Sequence, residues 1–229
     1  MLFKNTTWIA TDEYHLDLHY FEELRSRIHR RLNELRLPGW ETQIKDYPWL
    51  YGALGCVPAS VMFICQNPSL KPMRSAHTNT IDGGPPDIEA QWWGGEKNNA
   101  AKRFRFALHE TGLKTTPPSE RGGWNCYITN VVKEANITTD QRTRNTEERR
   151  KQARRWSDIL EWELSQVKPL YVICVGSKAT KAVTTLQRQR HLPSFCVHSI
   201  WHYSAEFVSD DLVGQRMIDG IRSVIRTDP

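Results

Sequence analysis

Four short apolar runs recur along the chain, and each stops at a polar or turn-forming residue. They are rich in β-branched and aromatic residues and comprise Val61–Cys65, Tyr127–Val132, Leu170–Val175 and Phe195–Ile200. Strands that are apolar along their whole length are buried on both faces, which is typical of a mainly parallel sheet covered by helices. The four runs therefore predict the strands of one central sheet.

Helical patterns alternate with these runs. The predicted helices are Asp12–Leu37, Asn98–Thr111, Thr146–Val167, Ser177–Arg190 and Ser209–Arg226. Turn-forming residues mark the ends of the first three, at Pro38-Gly39, Gly112 and Lys168-Pro169. The alternation predicts an α/β fold, a three-layer α/β/α sandwich with a central, mainly parallel four-stranded sheet. We expect a single domain over residues 1–229, with residues 1–55 forming an N-terminal helical extension packed on it.

Composition limits the partners that we expect. Lys and Arg outnumber Asp and Glu by 31 to 26, a modest basic excess that is compatible with a polyanionic partner. The five cysteines form no CxxC pair, which favours buried free thiols in a reducing compartment over disulfides or a zinc site. No apolar stretch approaches the roughly 20 residues of a membrane-spanning helix. We therefore expect a soluble, cytoplasmic protein with no membrane contact.

Two of the predicted strands lead directly into polar segments. Gln66-Asn67-Pro68-Ser69 follows the first strand, and His202-Tyr203-Ser204 follows the last. Asn67 and His202 would therefore lie at the carboxyl ends of strands, where open α/β sheets bind their ligands. Taken alone, an Asn-Pro pair after a strand is first of all a turn signal.

Four segments, taken together and in order, resemble the uracil-DNA glycosylase superfamily. Each is similar to one family motif: Gln66-Asn67-Pro68-Ser69 to the first motif, Ile128–Lys133 to the third-strand segment of the iron-sulfur branch, Cys174–Ala179 to a Leu-Gly-x-x-Ala turn, and His202-Tyr203-Ser204 to a His-Pro-Ser motif. The resemblance spans Val61 to about Ser209. It implies a uracil-DNA glycosylase-like fold, DNA as the partner and chemistry on a base flipped out of the stack.

The resemblance gives catalytic roles to Asn67 and His202. Hydrolysis of the bond between a pyrimidine and deoxyribose develops positive charge on the sugar and negative charge on the base. Asn67 would hold the water or contact the base, and His202 would face the negative charge at the base O2. Because an amide is not a strong general base, Asn where uracil-specific members have Asp predicts a slower enzyme that relies on positioning and leaving-group stabilisation.

Base recognition falls to Asn130, whose carboxamide has the donor and the acceptor to bond the Watson-Crick edge of a pyrimidine. An isolated Asn at a strand end would instead be a cap or an Asx turn. The other predicted substrate-binding residues are Gln66, Ser69, Trp92 and Trp93, the two tryptophans as an aromatic platform for the base. Phe104 is a third aromatic candidate, for which core packing is favoured. The residues expected to contact DNA are Lys133, Gly176, Ser177, Lys178 and Ser204.

Departures from the family pattern limit what the resemblance implies. Glu134 stands where iron-sulfur members have a cysteine, and paired N-terminal cysteines are missing, so we predict no cofactor. Ser69 is small where uracil-specific members have a tyrosine that blocks the 5 position of the base. The pocket would therefore admit thymine or a bulkier modified cytosine as well as uracil. Tyr203 replaces a proline, which is expected to loosen the turn before the loop Ala205–Val208.

Two further features have ordinary explanations. His15 with His19, and His198 with His202, form i, i+4 pairs, but neither pair has a third ligand at a recognisable spacing, and we predict no metal site. The segment Arg142–Arg155 is rich in arginine among acidic neighbours. It is a solvated helix face or, alternatively, a surface for the DNA backbone.

The predicted function is that of a monofunctional DNA glycosylase, which hydrolyses the N-glycosidic bond of a flipped, uracil-like or 5-modified pyrimidine and leaves an abasic site. One alternative is an anti-phage glycosylase specific for hydroxymethylated or glucosylated cytosine in viral DNA. A second is a non-catalytic nucleic-acid-binding member of the fold. Action on free nucleotides or on RNA stays open as well. No obligate protein partner is inferred.

Overall fold

One sheet forms the centre of the part of the chain that the computed structural model describes. The described residues are 17–36, 40–41, 53–67, 89, 99–134, 146–203 and 209–226. They contain five strands: β1 (Leu54–Gly55), β2 (Val61–Cys65), β3 (Tyr127–Asn130), β4 (Tyr171–Val175) and β5 (Val197–Ile200). Their order across the sheet is β1-β3-β2-β4-β5.

The sheet is parallel except at one edge. β2 pairs in parallel with β3 on one side and with β4 on the other, and β4 pairs in parallel with β5. β1 pairs antiparallel with β3. The predicted mainly parallel α/β fold is confirmed, but the sheet has five strands in place of the four predicted. Because β1 lies at residues 54–55, the end of the segment predicted as a helical extension belongs to the sheet.

Six helices lie on the two faces of the sheet among the described residues. They are α1 (Leu18–Leu35), α2 (Asn99–Glu110), α3 (Thr146–Arg155), α4 (Ser157–Val167), α5 (Ser177–Arg188) and α6 (Asp210–Ile225). The crossover from β2 to β3 runs opposite to the crossovers from β3 to β4 and from β4 to β5. Right-handed connections therefore place α2 on one face and α3 to α5 on the other.

Contacts between the helices agree with these two layers. α2 packs against α6, whereas α3 packs against α4 and α5, and α1 packs against α4. The helices α2, α5 and α6 begin and end within two residues of the predicted bounds. Considering only the residues that the structure describes, no helix is both long and apolar enough to cross a membrane.

The predicted helix Thr146–Val167 is in fact two helices. The break lies at Trp156, which has φ −110° and ψ 4°. Its side chain is fully buried, and its indole N–H donates to Glu134 Oε2 at 3.1 Å. We attribute the break to this anchored ring, since neither proline nor glycine occurs there. The second helix ends at Val167 and is capped by Lys168, which adopts a left-handed conformation (φ 51°) before Pro169, where the sequence predicts the end.

Aromatic residues join α1 to the core. Tyr20 and Phe21 are buried, and the Tyr20 ring lies 5.7 Å from the Tyr127 ring of β3. On its other side Tyr20 stacks on Trp162 of α4 at 5.2 Å. Aromatic pairs of this kind stabilise a fold beyond the apolar area that they bury.

A fully buried ion pair joins the segment after β3 to α4. Lys133 Nζ bonds to the carboxylate of Glu163 and lies 2.5 Å from Thr129 Oγ1. The hydroxyls of Tyr127 and Thr129 each donate to Glu163 Oε1 at 2.7 Å, and the Tyr20 hydroxyl donates to Tyr127 at 2.8 Å. Burial lowers the pKa of Lys133, and the neighbouring carboxylate opposes that shift. The network therefore links α1, β3 and α4 through polar groups that have no contact with water.

Removal of one partner of this pair should destabilise the protein strongly. Lys133→Met leaves the Glu163 carboxylate buried without its counter-charge, which should lower the free energy of unfolding by about 3–5 kcal/mol. The measurement is urea denaturation followed by circular dichroism. The matched control is Arg150→Met, which removes a cation from the exposed pair with Glu147 (3.7 Å) and should cost less than about 1 kcal/mol. Equal losses in the two variants would contradict the role of the buried pair.

Candidate active site

The polar segments that follow the strands emerge at one edge of the sheet. Because β2 to β5 are parallel, their carboxyl ends lie side by side. Val175 at the end of β4 pairs with Ile200 at the end of β5, so these two strands end level with each other. Gly176 and Trp201, which come next in the chain, therefore leave the sheet together.

The ends of β2 and β3 are held together by backbone hydrogen bonds. Cys65 pairs with Asn130, and beyond the strands Val131 N–H donates to Cys65 O and Val132 N–H donates to Gln66 O, both at 2.9 Å. Asn130 is buried, with 4 % of its surface exposed. Gln66 and Asn67 are half-buried. Three of the predicted site residues, Gln66, Asn67 and Asn130, are thus at the same edge of the sheet.

The two faces of β3 serve different purposes. Tyr127 and Thr129 point towards α4, where they bond Glu163. Side chains alternate along a strand, so Ile128 and Asn130 point to the opposite face. Phe63, which is in register with Ile128, contacts Phe104 of α2 at 5.4 Å between ring centroids. Asn130 therefore belongs to the face of the sheet that α2 covers.

His202 packs directly on the backbone of Gly176. A Cβ atom added to Gly176 would lie 3.0 Å from both Cβ and Cδ2 of His202, so the histidine would have to shift by a few tenths of an ångström. Gly176 also has φ +85° and ψ 158°, a conformation that is essentially restricted to glycine. Its N–H donates to Ile200 O at 2.9 Å, which ties the turn after β4 to the end of β5. The histidine ring thus packs against a glycine that is itself tied to the sheet.

The surroundings of His202 favour its neutral form. Burial lowers the pKa of the imidazole, and the positive charge of Lys178 lowers it further. Lys178 lies two residues after Gly176, in the first turn of α5, and is exposed. A neutral imidazole has one N–H donor and one acceptor. The sequence interpretation missed this electrostatic link and considered Lys178 only for phosphate.

Tyr203 is anchored, whereas the loop Ala205–Val208, whose shape the replacement of proline was expected to affect, lies outside the described residues. Its ring stacks on Phe104 with 5.3 Å between centroids and 24° between planes, and its carbonyl accepts a hydrogen bond from Arg103 Nη1 at 3.0 Å. Burial raises the pKa of the Tyr203 hydroxyl, which also hydrogen-bonds with Cys65. Burial likewise raises the pKa of Cys65 to about 12. Both groups are therefore protonated and serve packing.

Two residues predicted to contact DNA are buried, and the prediction is corrected for both. Lys133 has no exposed surface and is paired with Glu163, so it does not face a phosphate. Gly176 is buried, and its N–H is already donated to Ile200 O. Ser177 and Lys178 are exposed at the start of α5 and stay candidates. The sequence predicted an exposed cation at Lys133 because its partner, Glu163, lies 30 residues further along the chain.

Several predicted residues lie outside the described part of the chain. Ser69, Trp92, Trp93 and Ser204 are among them, as is the loop Ala205–Val208. Phe104 is fully buried between Phe63 and Tyr203, which agrees with the core role favoured for it.

Two observations concern metal and cysteine chemistry. Within the described ranges, no three His, Cys, Asp or Glu side chains are grouped as a metal site. Glu134, at the position of the family's cluster cysteine, accepts a hydrogen bond from Trp156 Nε1 at 3.1 Å and lies 3.9 Å from Arg155. This acidic side chain therefore has a structural role where iron-sulfur members bind a cluster.

Residues 53–215 match the family model described as "Uracil DNA glycosylase superfamily". The matched region covers more than half of the chain and contains β1 to β5. The chain therefore belongs to the uracil-DNA glycosylase superfamily. Membership implies, in general terms, an activity of the DNA glycosylase type with DNA as its substrate. No curated protein matches the chain in sequence.

A side chain at position 176 should displace His202. Gly176→Ala introduces a Cβ at 3.0 Å from the histidine and forces a residue other than glycine to adopt φ +85°, which should lower the free energy of unfolding by about 1–3 kcal/mol. Thermal denaturation measures the loss. Gly214→Ala in α6 is the control, since its Cβ meets nothing within 4 Å, and it should stabilise the helix by about 0.5–1 kcal/mol. Similar effects of both substitutions would contradict the close contact.

The positive charge at position 178 should hold His202 in its neutral form. Lys178→Gln removes that charge, so the pKa of His202 should rise, as followed by NMR titration of the imidazole C–H signals. Lys181→Gln, which changes an exposed lysine one turn further along α5, should leave the titration nearly unchanged. A pKa that does not move in Lys178→Gln, or that falls, would exclude this electrostatic link.

Proposed function

We propose that the protein is a monofunctional DNA glycosylase that hydrolyses the N-glycosidic bond of a flipped, uracil-like or 5-modified pyrimidine and leaves an abasic site. The observation that carries this proposal is the convergence of Asn67, Asn130 and His202 on the carboxyl edge of one parallel sheet. Each follows or ends a different strand, which is where folds of this class bind ligands. Family membership supports the choice of DNA as substrate.

The chemistry needs little proton transfer and much charge stabilisation. As the bond to the base breaks, negative charge collects on the pyrimidine oxygens, and a positioned N–H donor lowers the energy of that state. His202, neutral and fixed on Gly176, supplies such a donor. Asn67 holds the attacking water or contacts the base, and as an amide it contributes position more than basicity.

Asn130 is suited to recognition of the base. Its carboxamide sits at the end of a strand that is pinned on its other face by the Glu163 network, so its orientation is restricted. A carboxamide has both a donor and an acceptor, and the Watson-Crick edge of a pyrimidine offers the complements of both. Hydrogen bonds that only one base edge can match are the usual source of discrimination in such sites.

A lyase step has no support in the described residues around β3. Lyase chemistry requires an amine that reaches the sugar, and Lys133 is sealed in the core by its pair with Glu163. Lys133 is thus excluded as the amine of a lyase step, and the proposal stays one of simple hydrolysis. Treatment of the enzyme–DNA mixture with borohydride should trap no covalent complex.

The proposal names only the class of the excised base, which is a uracil-like or 5-modified pyrimidine. Ser69, which lies outside the described residues, is small at the position where uracil-specific relatives block a 5-substituent. Substrates carrying uracil, thymine mismatches, hydroxymethylcytosine and its glucosylated form separate repair of uracil-like bases from defence against modified viral DNA. Mass spectrometry of the released base identifies which one is used.

Loss of either proposed catalytic group should impair base release. Asn67→Ala and His202→Ala should each lower the single-turnover rate roughly 10²–10³-fold, because each removes an interaction assigned to the transition state. DNA affinity should stay near that of the wild type. The assay is alkaline cleavage at abasic sites, which only base loss creates.

His198→Ala is the matched control, since this half-buried histidine lies four residues earlier on β5. It should retain most of the activity. A larger loss in His198→Ala than in His202→Ala would mean that the wrong histidine has been assigned. DNA binding by the wild type without release of any base in the panel would favour the non-catalytic alternative.

A further inference from the structure

A groove rich in positive charge lies between α1, the last turn of α3 and the first turn of α4. We call it the cationic groove, and its volume is about 500 Å³. Its lining includes Arg31 and Leu35 of α1, Lys151, Arg154 and Arg155 of α3, and Asp158 of α4. Four of these six residues are cationic and one is acidic. Base recognition and base release use none of them.

The cations on α3 are placed where they repel one another. Lys151, Arg154 and Arg155 are spaced i, i+3, i+4, so they share one face of the helix. Like charges at these spacings destabilise a helix unless an anion lies among them. This arrangement differs from the ordinary solvated face, which the pair of Arg150 with Glu147 exemplifies.

Carboxylates of the protein neutralise only part of this charge. Arg155 is held by Glu148 at 3.2 Å and approaches Glu134 at 3.9 Å, and Arg31 is paired with Asp158. Lys151 and Arg154 are exposed, and neither has an ion-pair partner among the residues that the structure describes. The lining of the groove thus combines two cations without an ion pair in the described part of the chain, Lys151 and Arg154, with two that are paired, Arg31 and Arg155.

The position of the groove relates it to the candidate active site. Glu134, which contacts Arg155, follows Asn130 by four residues. The helix α3 also packs against α5, whose first turn carries Lys178 beside His202. Arg155 lines the groove and approaches Glu134 just beyond the carboxyl end of β3, so the groove lies near the edge of the sheet at which α5 starts.

We propose that the cationic groove binds the sugar-phosphate backbone of the DNA that carries the target base. The choice of DNA rests on the proposed function. Among its described lining residues there is no aromatic side chain on which a base would stack, so the chemistry of the groove fits phosphate oxygens and not a nucleobase. Bound phosphates would relieve the repulsion on α3, and the contact would act on all sequences alike.

The test removes the two uncompensated charges together. Lys151→Gln/Arg154→Gln in the full chain should weaken binding of a fluorescein-labelled duplex roughly tenfold, measured by anisotropy. The slope of log affinity against log salt concentration should fall by about 1.8, because each phosphate contact contributes roughly 0.9. Single-turnover base release at subsaturating DNA should slow in proportion to the lost affinity.

The control removes the same net charge from the other end of the molecule. Arg188→Gln/Arg226→Gln changes exposed residues at the ends of α5 and α6, at the opposite edge of the sheet from His202. It should leave affinity and salt slope nearly unchanged. An equal loss in this control, or wild-type affinity and slope in the groove variant, would overturn the proposal.

Two readouts separate this proposal from the proposed function. A wild-type protein that binds duplex DNA but releases no base overturns the glycosylase assignment, and the groove variant still decides the present proposal. A wild-type protein that binds no DNA overturns both. A groove variant that loses affinity for an RNA duplex while keeping its affinity for DNA would show that the groove serves a different nucleic acid and would overturn the proposal.

Discussion

The carboxylate of Glu163 organises the end of β3. It lies in α4, receives hydrogen bonds from Tyr127 and Thr129, and is paired with Lys133. A carboxylate without access to water is tolerated only when donors and an opposite charge surround it. The strand, the helix and the segment that follows the strand are therefore constrained together. Because Asn130 comes next after Thr129 and points to the other layer, a network without any contact to DNA fixes the residue to which we assign base recognition.

Most of the fold could be predicted because the sequence of most strands is distinctive. Runs such as Val61–Cys65 are apolar along their whole length, and β2 has the predicted bounds. β1 could not be found in this way, since two residues have no periodicity and its identity depends on pairing with β3. The break at Trp156 was also hidden, because what interrupts the helix is the burial of a ring and not a proline or glycine.

The position of a candidate site residue could be predicted where it depends only on the end of a strand. It could not be predicted where it depends on a contact between two residues that are distant in the sequence. Asn67 and His202 follow strands and Asn130 ends β3, and the parallel strands bring these ends to one edge of the sheet. Lys133 was placed on DNA because nothing near it in sequence reveals Glu163, which sits in a helix whose other acidic residues are exposed. Lys178 was considered for phosphate, whereas its effect on the pKa of His202 depends on the packing of α5 beside β5.

The contact between His202 and Gly176 has a consequence for the thermodynamics of binding. The imidazole packs against main-chain atoms that are themselves tied to β5 by a hydrogen bond, and this packing restricts the ring. Rotamer entropy that is lost during folding is not lost again when a ligand arrives. The absence of a side chain at position 176 would thus move an entropic cost from base binding to folding for the histidine that we propose as the donor.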